Sequence, residues 1–142
     1  MKNKISKLAV IDKSAVIGDN VSIGPYSVIH SNVRIGDNTS IGSNCILYSY
    51  TDIGVNNKIY DHVVIGADPQ VLSFDINKKT YVKILDNNII REFVTIHRST
   101  SEKKPTKVFC NNMIMVSAHI AHDCIIGNNI IMSNASMLGG HV

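Results

Sequence analysis

Tryptophan is missing from the 142 residues, aromatics make up only 6%, and there are just three prolines. The Lys and Arg residues behind the net charge of +3 are scattered and lack interleaved aromatics. That argues against nucleic-acid binding, which couples a basic groove to stacking rings. No apolar run is long enough to cross a bilayer. The basic start Met1-Lys2-Asn3-Lys4 is not followed by the continuous apolar stretch of a secretory signal. With 44% hydrophobic and 18% charged residues the chain is too apolar for wholesale disorder. The expectation is one cytoplasmic domain over residues 1–142, without a transmembrane segment or a nucleic-acid partner. Three cysteines, Cys45, Cys110 and Cys124, form no CxxC pair and no zinc spacing. Cys45 and Cys124 fall at small-residue positions of the repeat described next, which makes them core thiols rather than disulfide partners.

What the sequence has instead is a period. From Ile11 an apolar residue returns every sixth position through Ile17, Ile23, Ile29, Ile35, Ile41, Leu47, Ile53, Ile59 and Ile65. The count resumes at Ile84, Ile90 and Ile96, then at Val108, Ile114, Ile120, Ile126, Met132 and Leu138. Four residues after each comes a second class, mostly small or β-branched: Ala15, Val21, Ser27, Val33, Thr39, Cys45, Thr51. A period of six fits neither a 3.6-residue helix nor a plain alternating strand. It fits a short strand and a turn, three to a triangular coil of about 18 residues, with the Ile side chains stacked in a dry interior. Gly, Asn and Asp are expected at the corners, where the backbone turns left-handed. The fold class is therefore an all-β, parallel β-helix of about six coils.

Two segments break the count. Residues 67–83 and 99–107 are excursions from the solenoid wall, where repeat proteins often place their binding residues. The chain stops inside a hexad at His141-Val142, with no capping helix over the open end, so a truncated or otherwise covered solenoid is expected.

Histidines gather late, at His97, His119, His122 and His141, densest in Ala118-His119-Ile120-Ala121-His122-Asp123-Cys124. HxxH alone is a weak zinc signal without third and fourth ligands, so no metal is expected. Residues one coil apart stack at about 4.8 Å. If Ile96 underlies Ile120, Arg98 lies below His122, Gly140 lies above it, and His141 lies over Asp123. A His beside a carboxylate suits a general base, and a glycine one strand above offers a backbone N–H to an oxyanion. The other possibility is that these histidines only fill corners and pack in an oligomer interface.

Three stretches, Thr95-Ile96-His97-Arg98-Ser99-Thr100, the Ala118–Cys124 segment and Leu138-Gly139-Gly140-His141-Val142, resemble the UDP-N-acetylglucosamine O-acyltransferases that begin lipid A synthesis. Ile65-Gly66-Ala67-Asp68-Pro69-Gln70 is similar to that family too. The resemblance implies a left-handed β-helix, an exception to the usual right-handed crossover, assembled as a homotrimer with sites between subunits. It implies transfer of a 3-hydroxyacyl group from acyl carrier protein to the sugar 3-hydroxyl, with no cofactor beyond the carrier-protein thioester. His122 matches the family's base, Asp123 the residue that orients it, and Gly140 the oxyanion donor. His119 and His141 match substrate-contacting histidines, and Arg98 is assigned to the substrate with them. The sequence departs from the family at Val71 and Ser73, where Asp and Lys usually meet the nucleotide sugar, and in lacking the C-terminal helical domain. The alternatives are the same chemistry on another nucleotide sugar or an amine, and an inactive trimeric scaffold. A carbonic-anhydrase-like site would need three zinc-binding histidines converging between subunits.

Overall fold

A computed structural model of the chain describes residues 2–142, and the hexads become strands two to four residues long. The strands form three parallel walls of seven, seven and six, each pairing every third strand in sequence. The first wall runs from Lys4–Ile5 through Ser22–Ile23, Ser40–Ile41, Lys58–Ile59, Ile89–Ile90 and Met113–Ile114 to Ile131–Met132. The second runs from Val10–Ile11 to Met137–Leu138 and the third from Val16–Ile17 to Ile125–Ile126. The result is a left-handed parallel β-helix of six complete coils and two further strands. Lys4–Ile5 is one hexad more than the count from Ile11 supplies; Ile5 lies at the open end and is 38% exposed, so it adds little to the core.

The registers stack like on like, Ile11 on Ile29, Ile29 on Leu47, Ile96 on Ile120 and Ile120 on Leu138. These side chains fill the interior with Val21, Val33, Val63, Val94, Cys45 and Cys124, all fully buried. All three thiols are free. Each fully buried Ile or Leu contributes roughly 1.5–3 kcal/mol over its exposed state, which is what holds strands this short in place.

The corners are left-handed but not glycine-rich. Among the described residues sixteen non-glycine residues have φ between 54° and 65°, half of them Asn, and only Gly66 is a left-handed glycine. The repeated glycine after the inward Ile answers a different need. A Cβ on Gly24 would run into the backbone of Gly42 and Ser43 on the next coil, so the coils stack closely only if that position is bare. The short polar side chains of the corners also bond between coils. At one edge the buried Asn57, Asn88 and Asn112 form a ladder, in which Asn88 N–H donates to Asn57 Oδ1 and Asn112 N–H to Asn88 Oδ1, both at 2.9 Å.

The first long interruption lies between strands Val64–Ala67 and Val82–Ile84, and the second between Thr95–His97 and Thr106–Val108. Both leave the second wall and rejoin at the third, and together they flank one corner of the prism. Among the described residues no helix is long and apolar enough to cross a membrane.

Candidate functional site

Strand His119–Ile120 points Ile120 inward and His119 outward. The chain then rounds the corner between the second and third walls through Ala121, His122 and Asp123. Asp123 takes the left-handed position, φ 61°, which a short polar side chain tolerates. Its amide donates to Thr106 Oγ1 at 2.8 Å, and Thr106 is fully buried where the second excursion rejoins the wall.

His122 Nδ1 is 2.8 Å from Asp123 Oδ2, and the two side chains are only 13% and 11% exposed. An ionised carboxylate can only accept, so Nδ1 carries the proton and Nε2 presents its lone pair. Burial by itself raises the Asp123 pKa. Hydrogen bonds from Thr100 and His122, with the nearby His141, outweigh it and hold the carboxyl below its ordinary value. The pair is therefore an oriented imidazole on a fixed anion.

Gly140 lies directly over this ring, since a Cβ there would overlap His122 Cε1 and Nε2. Its N–H has no hydrogen-bond partner among the described residues. His141 lies over Asp123 on the same turn, with Nε2 3.8 Å from Asp123 Oδ2, its ring edge-on to His122 at 5.1 Å and its side chain 70% exposed. The geometry thus brings together an unoccupied nitrogen lone pair, a free amide and an exposed imidazole.

His119 is one strand back on the second wall, its Nδ1 2.7 Å from Thr95 Oγ1 and its ring edge-on to His97 at 4.7 Å. Burial lowers the pKa of His119. His97 is pushed down to about 4, first by burial and then by the charges of His119 and His122. Both are neutral at neutral pH. His97 Nδ1 is buried without a partner.

Arg98 departs from the expected column. Its strand keeps the expected register, Ile96 on Ile120, but its guanidinium turns away from His122 into the first excursion. There it pairs with Asp68 at 2.8 Å, donates to the carbonyls of Lys78 and Ile76, and stacks on Phe74. The residue that reaches the His122–Asp123 pair from below is Thr100. Its hydroxyl donates to Asp123 Oδ2 at 2.6 Å and its amide to Oδ1 at 3.1 Å. Sequence reasoning assigns no role to Thr100, Thr106 or His97. The contacts of the two threonines depend on the path of the excursion, which a hexad count cannot follow; His97 was visible as part of the histidine cluster.

One group of possible metal donors exists among the described residues, His122, Asp123 and His141, with ligand atoms within 4.8 Å of one another. The Asp123 oxygens are already engaged by His122 and Thr100, so this set reads as a hydrogen-bonded network. A cleft of about 310 Å³ opens beside it, lined by Thr100, Ser101, Lys104, Asp123, Ile125 and His141. A cleft of about 330 Å³ lies lower on the prism around Arg34, Tyr50, Asp52, Lys79 and Tyr81 and is lined by no histidine. The chemistry is better placed at the first of these.

Comparison with known proteins bears on the fold and its relatives. Residues 14–49 match the family model described as bacterial transferase hexapeptide (six repeats). The chain is 50% identical over 141 residues to an acyl-[acyl-carrier-protein]--UDP-N-acetylglucosamine O-acyltransferase of Aliarcobacter butzleri, covering 99% of this chain and 54% of that protein. It is 44% identical, with the same coverage, to the protein of that name from Thermodesulfovibrio yellowstonii. Among solved structures, LpxA from Acinetobacter baumannii superposes with a TM-score of 0.93 at 40% identity, over 96% of this chain and 53% of that one. The UDP-N-acetylglucosamine acyltransferase of Francisella novicida gives 0.93 at 43%, over 96% and 50%. The chain spans about half the length of the curated relatives it matches.

Proposed function

We infer that this chain belongs to the UDP-N-acetylglucosamine O-acyltransferase family, and we propose that it moves a 3-hydroxyacyl group from acyl carrier protein to the 3-hydroxyl of UDP-N-acetylglucosamine, the opening step of lipid A synthesis. The observation that carries the chemistry is the His122–Asp123 pair beneath the bare amide of Gly140. In this reading His122 Nε2 removes the proton of the acceptor hydroxyl as its oxygen attacks the thioester carbonyl. The tetrahedral oxyanion forms against the Gly140 N–H. Its collapse expels the carrier-protein thiolate, which recovers the proton from the His122 imidazolium. Asp123 holds the ring in the required tautomer and balances the transient positive charge. His119 and His141 flank the pair and are proposed to contact the acceptor. Arg98 acts on the substrate indirectly, by holding the first excursion in place through Asp68 and Phe74.

The same reading proposes a homotrimer, supported by the outward residues of the three walls. The first wall presents Lys4, Ser22, Ser40 and Lys58 before Ile89, Met113 and Ile131, and the third presents Arg34, Asp52, Lys83 and Lys107 between Val16 and Ile125. The second instead stacks Val10, Val28, Ile46 and Val64 in one continuous column, which runs on through Thr95 and His119 to Met137. Val10 and Met137 are 62% and 65% exposed. An apolar stripe of that length on one wall suits burial against further copies, and it would place the subunit boundary beside the histidines. A cytoplasmic location is part of the same proposal, since the reaction would consume a carrier-protein thioester.

The test is substitution of the base. His122→Ala should lower acyl transfer by roughly 10²–10⁴-fold while leaving the oligomer unchanged in sedimentation; wild-type turnover by the variant would remove the assignment. Val71 and Ser73 favour a second reading, the same chemistry on a different nucleotide sugar. They occupy the first excursion, with Ser73 exposed and no carboxylate or ammonium at either position. Turnover across a panel of UDP-sugars separates the two.

A further inference from the structure

We propose that the second excursion is the cradle of the base, with Thr100 as a positioning residue that fixes the Asp123 carboxylate and through it the ring of His122. The inference rests on the reading of His122 as the base and adds a part to that site.

The observations come from both ends of one loop. Leaving the second wall after His97, the chain places Thr100 against the Asp123 carboxylate, with the hydroxyl at 2.6 Å from Oδ2 and the amide at 3.1 and 3.2 Å from Oδ1 and Oδ2. Rejoining the third wall, it places Thr106 Oγ1 under the Asp123 amide. Just before Thr100, Ser99 is fully buried, and its hydroxyl donates to the Ser101 carbonyl at 2.8 Å. The Ser99 and Thr106 amides both donate to the carbonyl of Tyr81, the last residue before the strand that ends the first excursion. The loop is therefore bonded to the body of the protein on each side of Thr100, and the Thr100 hydroxyl has a settled direction.

Its chemical consequence follows from the oxygen it meets. Oδ2 accepts from both the Thr100 hydroxyl and His122 Nδ1. A carboxylate held by one partner can rotate and offer either oxygen to the ring. One held by three donors offers a single oxygen in a single direction, and its charge is partly spent on the hydroxyl. Removing the hydroxyl leaves only the backbone amide of residue 100 and the ring itself on the carboxylate, so Oδ2 is held less firmly and the ring is less well aimed. The other groups facing His122 are His141 from the coil above and His97 from the coil below, with Lys104 lining the adjoining cleft. All of them are unchanged by a substitution at Thr100.

The decisive measurement is nitrogen-15 NMR of the histidine rings in the full chain, which needs no turnover, with His122→Gln used to assign the signal. In the wild type His122 should stay in the Nδ1–H tautomer. In Thr100→Val the ring should populate both tautomers, and Thr100→Ser should restore the single one. If the valine variant does not fold by circular dichroism, Thr100→Ala is read in its place. Under the acyl-transfer assay kcat should fall about tenfold with KM nearly constant. A folded Thr100→Val chain that keeps the single wild-type tautomer of His122 would overturn the inference. An active His122→Gln would instead overturn the base assignment, and the NMR comparison would still decide whether Thr100 governs the ring.

Discussion

The residues of the candidate site differ in what burial does to them. His97 and His119 are depressed by burial and stay neutral, whereas Asp123 is held ionised by its donors against the cost of burial. Because the folded chain resists protonating His97 down to about pH 4 while an unfolded chain takes the proton near 6.5, the unfolded state binds more protons between those values. Stability should therefore fall as pH drops from about 7 towards 4. Asp123 acts below that window, since a depressed carboxyl loses its contribution only as pH falls under the ordinary carboxylate value. Melting temperatures from pH 7 to 5 should decline, and His97→Gln should flatten the decline; an equal slope in the variant would show that His97 is not the group responsible.

At the scale of strands and corners, the stability of two-residue strands depends on what joins the coils. The asparagine ladder gives a sharp case. Asn88 accepts from Asn112 N–H and donates to the carbonyl of Phe109 at 2.8 Å, all inside the prism. Asn88→Ala should strand both backbone groups and cost roughly 1–3 kcal/mol, measured by urea unfolding, and no loss would mean the coils close around the gap. This scale also shows what a sequence can reveal. The inward Ile column was legible because one residue class repeats at a fixed interval. The ladder was not, because Asn reads as a turn former whether its amide faces water or the core. The glycines were legible as part of the repeat but suggested left-handed corners, when the reason at Gly24 is the approach of the next coil. The His122–Asp123–Gly140 stack came from the period alone. Arg98 and Thr100 did not, because their side-chain directions depend on how two irregular loops pack against each other.

For the whole molecule the asymmetry of the three walls is the main feature. A solenoid could be soluble with three polar faces, yet the second wall carries an unbroken outward column from Val10 to Val64. Val28→Glu places a charge in the middle of that column without touching the core. It should convert the proposed trimer to smaller species in light scattering, and acyl transfer should fall with it if the subunit boundary completes the site. A variant that remains trimeric would move the interface to another wall.

The most direct test of the account is acyl transfer by the purified 142-residue chain, followed by mass spectrometry. It is supplied with 3-hydroxyacyl carrier protein and UDP-N-acetylglucosamine, with His122→Ala run beside it. The wild type should yield a singly acylated UDP-sugar and the variant essentially none. Equal product from both, or none from a folded wild-type oligomer, would contradict the account.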